Sequence, residues 1–404
     1  MRFVDKKVIS IFIYNFFVNL RFSRALLMIY CMNLGVSVIQ FGVIQSIYSL
    51  SRLIFEVPSG IIADKFKRKN VLGAASFISA IMYILLFFFN KMTKYNLFVP
   101  LIIIFIIDAF AFSLISGTDQ ALLFDILPKE NREEKYTRYV SFMQIVGLSC
   151  LSLSTILGGV ISEFGVCFSF LIQGISSLLA FISILFTKEE KGVLKSEGNS
   201  SYKIGITALK TMKSSNVLII MMILAAIIDV NINSITIFIQ GYFEDLNMEL
   251  TLISSVIGFS TLAGILGAFI SPRFLKLKSE ILLLFSGVTG MLSICLISYK
   301  NIFISILGFM LLNVLVELIY PLISTFINVN IESNSRATVI SMVSFVSGVI
   351  SSIVYPMYGK IINLKGYSSA FRYFGISSFF VVILIGIYFG GRRKNDVKSA
   401  KESL

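Results

Sequence analysis

The sequence predicts an all-α membrane protein with twelve transmembrane helices, and three observations support this fold class. Of the 404 residues, 56% are hydrophobic and only 14% are charged, whereas a soluble domain carries roughly a quarter charged residues. Apolar runs of about 20 residues recur along the chain, which is the length that crosses about 30 Å of hydrocarbon. The basic residues are also distributed unevenly between the segments that separate these runs.

The apolar runs between charged or turn-rich breaks predict where the helices lie. The expected spans are residues 8–32, 38–63, 71–90, 97–122, 139–161, 168–186, 217–240, 251–271, 281–298, 303–328, 338–358 and 371–389. The first run is too long for the core of a signal peptide, and it contains Arg21 and Arg24. We therefore interpret it as a helix that is retained in the membrane.

The distribution of Lys and Arg predicts the orientation of the chain. Twelve spans place both termini on one side. With that side cytoplasmic, 26 of the 35 basic residues fall in cytoplasmic segments and the other 9 in external loops and spans. This asymmetry follows the positive-inside rule. It predicts a multi-pass protein of the cell membrane with cytoplasmic termini, and it explains the net charge of +13 without a nucleic-acid partner.

The longest polar stretch divides the spans into two groups of six. The predicted organisation is an N-terminal six-helix bundle (1–186), a cytoplasmic linker (187–216), a C-terminal six-helix bundle (217–389) and a cytoplasmic tail (390–404). A short similarity supports duplication, because residues 158–165 (GGVISEFG) and 359–366 (GKIINLKG) follow the fifth span of each half. Duplicated six-helix units are found among secondary transporters.

Several classes of chemistry lack their usual residues in this chain. It contains no histidine, and its four cysteines form no C-x-x-C pair. Metal sites and histidine-based acid–base catalysis commonly depend on such residues. A phosphate-binding loop of the type G-x-x-x-x-G-K-[ST] is also missing from the sequence. We therefore expect neither an enzyme nor a protein that needs a metal or another cofactor.

Residues 56–72 (EVPSGIIADKFKRKNVL) form the most specific motif. They resemble the loop between helices two and three of the major facilitator superfamily, G-x-x-x-D-[RK]-x-x-R-[RK]. The matching positions are Gly60, Asp64, Lys65, Arg68 and Lys69. Lys67 stands where a glycine is common in the family. The preceding E-x-P-S-G is similar to a drug-efflux branch that includes clostridial tetracycline efflux proteins, as is the stretch 116–125.

This resemblance implies two pseudo-symmetric six-helix bundles that rock about a central site. It also implies a conformational latch that stabilises the outward-facing state. In that latch Gly60 would allow close helix approach, Asp64 would face a neighbouring helix N-terminus, and Arg68 would pair with Asp125. Lys65 and Lys69 would complete the motif. The alternative is that the basic residues of this loop only enforce topology.

Charged residues inside the apolar runs are the candidate site residues, because a charge at the bilayer centre costs roughly 2.5 to 3.5 kcal/mol. They are Arg21, Arg24, Arg52, Glu56, Asp108, Asp119, Asp229 and Glu317. The family resemblance implies that helices one, four, seven and ten line a central cavity. The spacing of Asp108, Phe112, Ile115 and Asp119 predicts that all four share one helical face.

Asp108, Asp229 and Glu317 are predicted to lie near the membrane midplane, where transporters bind substrate. We hypothesise that they couple transport to protons or bind a cationic substrate group, with the arginines of spans one and two as countercharges. Desolvation favours a protonated carboxyl group and a nearby arginine favours the carboxylate, so a change of surroundings would move a proton. The alternative is a set of fixed ion pairs, for instance between Arg52 and Glu56.

The predicted function is export of drugs or other small amphiphilic molecules, coupled to protons and operating by alternating access. We expect the protein to act as a monomer in the lipid bilayer. The antiporter motif of span five is degraded, with Ser154 and Thr155 in the places of its Gly and Pro. An importer of the same fold is therefore an alternative. A receptor or scaffold that does not transport is more remote, because it has little use for titratable groups at the midplane.

Overall fold

In the computed structural model, helices occupy all twelve predicted positions. The structure describes residues 8–92, 94–127, 132–189, 216–274, 277, 279–330 and 336–388. The N-terminal helices are α1 (Ile9–Val18), α2 (Leu27–Asn33), α3 (Val38–Lys65), α4 (Arg68–Phe89), α5 (Phe98–Ile115), α6 (Thr118–Ile126), α7 (Arg132–Ile161) and α8 (Val166–Leu185). They are followed by α9 (Asn216–Asp245), α10 (Leu250–Phe274), α11 (Ser279–Ile297), α12 (Ile302–Asn330), α13 (Arg336–Lys365) and α14 (Tyr367–Tyr388).

The helices have the length and composition of membrane spans. Within the described part of the chain, nine are long and apolar enough to cross a bilayer. Two shorter apolar helices, Ile9–Val18 and Ile281–Ile297, lie at further predicted positions. The prediction of an all-α membrane protein is confirmed, and in the residues that the structure describes nine of the twelve expected spans meet the length and composition criterion on their own.

Span one is interrupted, so the prediction of a continuous helix over residues 8–32 is wrong. Residues 19–26 form turns between α1 and α2. The amide of Arg21 donates to Ser154 Oγ of α7 at 2.8 Å, and the amide of Ser23 donates to Gln173 Oε1 of α8 at 3.0 Å. Side-chain partners of this kind allow non-helical backbone at membrane depth, because water is not available there.

Span four is also divided. Gly117 has a φ of +76° and separates α5 from α6; glycine adopts this left-handed conformation without steric cost. The helical register therefore changes after Ser116, and the single face predicted for Asp108 and Asp119 is wrong. The predicted spacing holds within α5, where Asp108 and Phe112 lie one turn apart.

The chain divides into two compact units, which we describe separately. Unit 1 comprises Met1–Glu197 together with Asn247–Phe259, and unit 2 comprises Gly198–Leu246 together with Ser260–Leu404. In unit 1, α4 packs along α8 and α3 packs along α5. The first turns of α10 also belong to this unit, where Ser152 Oγ of α7 donates to the Gly258 carbonyl oxygen at 2.8 Å.

Unit 2 is built from two helix pairs, α9 with α13 and α11 with α12. The buried Tyr242 of α9 donates its hydroxyl to the Ile297 carbonyl oxygen at 2.6 Å. Asn231 of α9 accepts a hydrogen bond of 2.7 Å from Tyr358 of α13. These buried polar contacts connect α9 to its neighbours in addition to the apolar packing.

Two glycines permit close backbone approach. A Cβ added at Gly158 of α7 would overlap the carbonyl oxygen of Phe22, in the interrupted segment of span one. A Cβ added at Gly267 of α10 would overlap the carbonyl oxygen of Val314 on α12. Small residues at such crossings are typical of membrane helix packing.

Candidate functional site

A small polar cavity lies within unit 1, among α4, α5, α8 and the residues that follow α1. Its lining includes Arg21, Tyr83, Asp108, Phe112 and Gln173. The space suffices for a water molecule. Two of the predicted site residues, Arg21 and Asp108, are thereby brought to one place.

Phe112 is in contact with two guanidinium groups. The Cζ atom of Arg52 lies 4.1 Å from the centroid of the Phe112 ring, and the Cζ atom of Arg21 lies 5.5 Å from it. Both distances are within the range of a cation–π interaction. Arg52 belongs to α3 and does not line the cavity itself, so the ring connects a cationic side chain outside the cavity to one inside it.

Asp108 is partly buried one turn before Phe112, and the positive charges of Arg21 and Arg52 act on it. Among the described residues of unit 1, neither arginine forms an ion pair with it. Tyr48 and Tyr83 are also within electrostatic range of the carboxylate. A carboxyl group in such a mixed environment can change its protonation state when its neighbours move.

Two other predicted site residues of unit 1 take different positions. Arg24 lies in the interrupted segment within electrostatic range of Arg21. Asp119 lies in the first turn of α6, where its carboxylate is close to the open backbone amides of that helix end. The cavity lining does not include it. Asp119 is thus placed to stabilise the N-terminus of α6.

Arg52 and Glu56 do not form the fixed ion pair considered above. Both side chains are exposed in unit 1, and no ion pair joins them in the part of the chain that the structure describes. The Arg52 guanidinium lies over Phe112 instead. Its predicted role as a countercharge remains compatible with this position, whereas the described lining of the cavity does not include Glu56.

The other two carboxylates that are predicted to lie near the midplane belong to unit 2. Asp229 of α9 accepts a hydrogen bond of 2.9 Å from Asn233, one turn later. Glu317 of α12 packs against α10, since a Cβ at Gly264 would lie 2.8 Å from Glu317 Cγ. Both carboxylates are exposed. The contacts described for the two carboxylates, with Asn233 and with the helix at Gly264, both lie within unit 2.

The ion pair predicted between Arg68 and Asp125 is present. Arg68 at the start of α4 pairs with Asp125 near the end of α6, and its Nη1 atom also donates to the Ala121 carbonyl oxygen at 3.3 Å. The side chains are 25% and 44% exposed, so the pair contributes at most about 1 kcal/mol to the free energy of unfolding. Both residues lie in unit 1, where the pair fixes the position of α6 relative to α4.

The remaining motif residues surround the end of α3. Asp64 and Lys65 are exposed. No atom among the described residues lies within 4 Å of a Cβ added at Gly60, so the close approach expected there is not found. Lys69 Nζ donates to the Thr187 carbonyl oxygen at 3.1 Å, which ties the start of α4 to the end of α8.

Glu189 is a helix-capping residue that the sequence did not reveal. Its two carboxylate oxygens accept hydrogen bonds of 3.0 Å from the backbone amides of Arg68 and Lys69. Lys67, which precedes α4, provides no side-chain cap. Glu189 therefore satisfies two open donors and places a negative charge at the helix N-terminus. Glu189 lies 121 positions after Arg68, so no local sequence pattern indicates that the two residues are in contact.

Replacing Glu189 by alanine is expected to lower the free energy of unfolding by about 1 kcal/mol, because two amides lose their partner. Glu189→Gln keeps an acceptor oxygen and should lose less. The measurement is the melting temperature reported by a thiol-reactive fluorophore, which labels the buried Cys31, Cys150 and Cys167 on unfolding. Lys188→Ala is the control. Equal melting temperatures for Glu189→Ala and Lys188→Ala would contradict the capping role.

Long apolar helices, interrupted spans and charges within those spans together define a polytopic membrane protein of the transporter class. The model of the Major Facilitator Superfamily matches residues 9–356. The chain belongs to the major facilitator superfamily. This family assignment indicates a transporter of small molecules, not an enzyme.

Relatives of known sequence agree with this assignment. The chain is 22% identical over 357 residues to the uncharacterized MFS-type transporter YxaM of Bacillus subtilis (strain 168), which covers 86% of this chain and 84% of the relative. It is 29% identical over 150 residues to the class H tetracycline resistance protein of Pasteurella multocida, covering 37% and 35% of the two chains. The similarity to clostridial tetracycline efflux proteins stays a prediction.

Solved structures share the fold. A mutant of the nucleoside transporter NupG gives a TM-score of 0.81 at 15% identity, with 95% of this chain and 99% of that chain covered. The D-xylose-proton symporter gives a TM-score of 0.74 at 14% identity, with 95% and 97% covered. Identities this low support the fold and leave the substrate open.

Proposed function

We propose that the protein is a proton-coupled secondary transporter that moves small amphiphilic molecules across the cell membrane by alternating access. The observation that carries the proposal is the position of Asp108, partly buried at a polar cavity and within range of two arginines. Its protonation would change whenever the cavity alters its hydration or the distance to Arg21 and Arg52. Asp229 and Glu317 are the further candidates for proton coupling.

Export of drugs is the first candidate direction. It is supported by the local identity to a tetracycline resistance protein and by the E-x-P-S-G sequence that begins at Glu56. In this proposal Arg68 and Asp125 bias the conformational equilibrium as a latch. The excess of basic residues in the intervening segments supports cytoplasmic termini. The protein would act as a monomer, because each chain contributes its own cavity.

Import of a nutrient or metabolite is the second candidate. The specific observation in its favour is the fold likeness to a nucleoside transporter and a proton symporter over nearly the whole chain. Inside-out membrane vesicles distinguish the two candidates. An exporter accumulates substrate inside such vesicles when their interior is acidified, whereas an importing proton symporter drives substrate out with the protons.

The proposal is tested by Asp108→Asn in proteoliposomes that contain a pH-sensitive dye. Tetracycline, erythromycin and ethidium serve as first probes, selected by the drug susceptibility of cells that carry or lack the gene. The wild type should change the internal pH when substrate is added, and Asp108→Asn should abolish this change because the carboxyl group cannot exchange a proton. Asp245→Asn at the exposed end of α9 is the matched control.

Two outcomes would contradict the proposal. One is a proton flux that Asp108→Asn leaves unchanged. The other is transport that survives the triple variant Asp108→Asn, Asp229→Asn and Glu317→Gln, because the membrane region would then retain none of the three proposed coupling groups.

A further inference from the structure

We propose that Ser76 and Tyr14 form a proton relay inside unit 1, which connects Asp108 at the polar cavity to Asp119 at the start of α6. This inference rests on the proposed proton-coupled transport, and it assigns the route by which a proton reaches or leaves Asp108. Neither Ser76 nor Tyr14 is among the site residues predicted from the sequence, because neither carries a charge.

The first link of the relay is the cavity itself. Ser76, Ser79 and Tyr83 follow one another on α4 at spacings of three and four residues, which places them on one helical face. All three line the cavity together with Asp108. The cavity has room for about one water molecule. A water molecule there would have the Asp108 carboxyl group and the Ser76 hydroxyl among its neighbours, and it can accept one proton while it donates another.

The second link is a contact between two buried hydroxyl groups. Ser76 Oγ of α4 donates to the Tyr14 hydroxyl of α1 at 3.4 Å. Each residue is only 1% exposed, so bulk water does not replace either group. A hydroxyl is donor and acceptor at once, as a proton relay requires. The distance exceeds the usual value of about 2.7 to 2.8 Å, so proton transfer requires a small approach of α1 and α4.

The third link leads from Tyr14 to the first turn of α6. Tyr14 packs in one apolar cluster with Leu122, which lies one turn after Asp119. The charge of Asp119 acts on the Tyr14 hydroxyl. Asp119 is half-buried and its neighbour Gln120 is exposed. Water at this exposed helix start is therefore expected to bridge the hydroxyl and the carboxylate.

The relay leads towards the end of unit 1 that carries the Arg68–Asp125 ion pair. Ser76 follows Arg68 by eight residues on α4, which corresponds to about 12 Å along the helix axis. Asp119 precedes Asp125 by six residues on α6, or about 9 Å. The basic residues of the sequence predict that this end faces the cytoplasm. The relay would thus connect Asp108 to cytoplasmic water.

One proton moves along this route without a net change at the intermediate groups. The carboxyl O–H bond of Asp108 breaks as the cavity water gains a proton, and the water passes another proton to Ser76 Oγ. The original Ser76 proton moves to the Tyr14 oxygen. The original Tyr14 proton then reaches the Asp119 carboxylate through the bridging water. Rotation of the two hydroxyls restores the starting arrangement, and the reverse sequence delivers a proton to Asp108.

The test follows the protonation of Asp108 in the full-length protein in lipid nanodiscs, without a substrate. Time-resolved infrared spectroscopy after a light-triggered pH jump records the C=O stretch of the protonated carboxyl group, which is assigned by its loss in Asp108→Asn. Tyr14→Phe should slow this signal at least about tenfold and leave its final amplitude unchanged. The amplitude reports the protonation equilibrium of Asp108, whereas only the rate depends on the relay. The charged and titratable groups around Asp108 are Arg21, Arg52, Tyr48 and Tyr83, and all variants retain them.

Matched variants separate the hydroxyl groups from the packing. Ser76→Val and Ser76→Thr have side chains of the same branched shape, and only threonine keeps a hydroxyl. Ser76→Val should be slow and Ser76→Thr fast. Tyr30→Phe is the control for Tyr14→Phe, because Tyr30 is also buried and its hydroxyl also donates to α4, at the Leu86 carbonyl oxygen. It should protonate Asp108 at the wild-type rate, whereas Asp119→Asn should be as slow as Tyr14→Phe.

The relay is overturned if Tyr14→Phe is as fast as Tyr30→Phe, or if Ser76→Val is as fast as Ser76→Thr. It is also overturned if Tyr14→Phe changes the final amplitude, which indicates a structural effect on Asp108, or if no infrared signal is lost in Asp108→Asn. Proteoliposome proton flux that Asp108→Asn abolishes and Tyr14→Phe leaves unchanged would contradict the relay alone. Slow protonation of Tyr14→Phe in a protein without substrate-driven proton flux would contradict the transport proposal alone.

Discussion

Replacing Gly158 by alanine is expected to prevent the protein from reaching a stable fold. The added Cβ would overlap the carbonyl oxygen of Phe22 and lie 2.7 Å from its carbonyl carbon. Backbone cannot swing aside as a flexible side chain can. We expect a loss of at least about 3 kcal/mol in the free energy of unfolding, at the upper end of the cost of overpacking.

The measurement is the yield of monodisperse protein in detergent, together with the melting temperature from the thiol-reactive fluorophore. Gly73→Ala in α4 is the matched control, since the nearest atoms to its added Cβ are side-chain carbons of Ile184 and Phe181 at 3.5 Å. That variant should be tolerated, because the contact is ordinary and alanine favours the helix. A Gly158→Ala protein as stable as Gly73→Ala would contradict the close approach described here.

Neutralising either member of the Arg68–Asp125 pair is expected to lower transport at least about tenfold while changing the melting temperature little. The pair is partly exposed, so its contribution to stability is small. Its position is more important, because it holds α6 on α4 just beyond the Gly117 break. Without it α6 can reorient, and the population of the transport-competent conformation falls.

The variants are Arg68→Gln, Asp125→Asn and Arg68→Lys, measured by initial transport rates in proteoliposomes. Arg68→Lys keeps the positive charge for the ion pair, although it loses the guanidinium group whose Nη1 atom also donates to the Ala121 carbonyl oxygen. It should retain more activity than Arg68→Gln. If the basic residues of this loop only enforce topology, Asp125→Asn should transport at the wild-type rate. That result would contradict the proposed latch.

The fold could be predicted from the sequence because hydrophobic length is a local property. Runs such as residues 71–90 and 168–186 correspond closely to α4 and α8. Arg68 with Asp125 was predictable through the family resemblance, which carries a contact over 57 positions. The latch itself and the roles of the midplane carboxylates remain predictions.

The features that could not be predicted all depend on tertiary partners. The interruption of span one requires Ser154 and Gln173, which are distant in the sequence and supply the hydrogen bonds that the helix would have made. The prediction that Asp108 and Asp119 share one helical face requires a continuous helix. The left-handed conformation of Gly117 interrupts that helix. The capping of α4 by Glu189 could not be predicted for the same reason, because the two residues in contact are 121 positions apart in the sequence.

The place of Phe112 in the site illustrates a related limit. Its spacing from Asp108 was evident, but an aromatic residue in an apolar helix is usually packing or lipid-facing. Only the approach of Arg21 and Arg52 from two other elements gives the ring a role. A signal existed in the three intramembrane arginines, because each must find a partner other than lipid.

The interrupted segment of span one is attached to α7, so a movement of α7 would also move Arg21. Ser154 holds the Arg21 amide, and the neighbouring Ser152 is bonded to Gly258 in the first turns of α10. A slide of α7 along its own axis would drag the anchored backbone with it and change how far the guanidinium stands from Phe112. A movement of α7 would in this way change the electrostatics of the cavity.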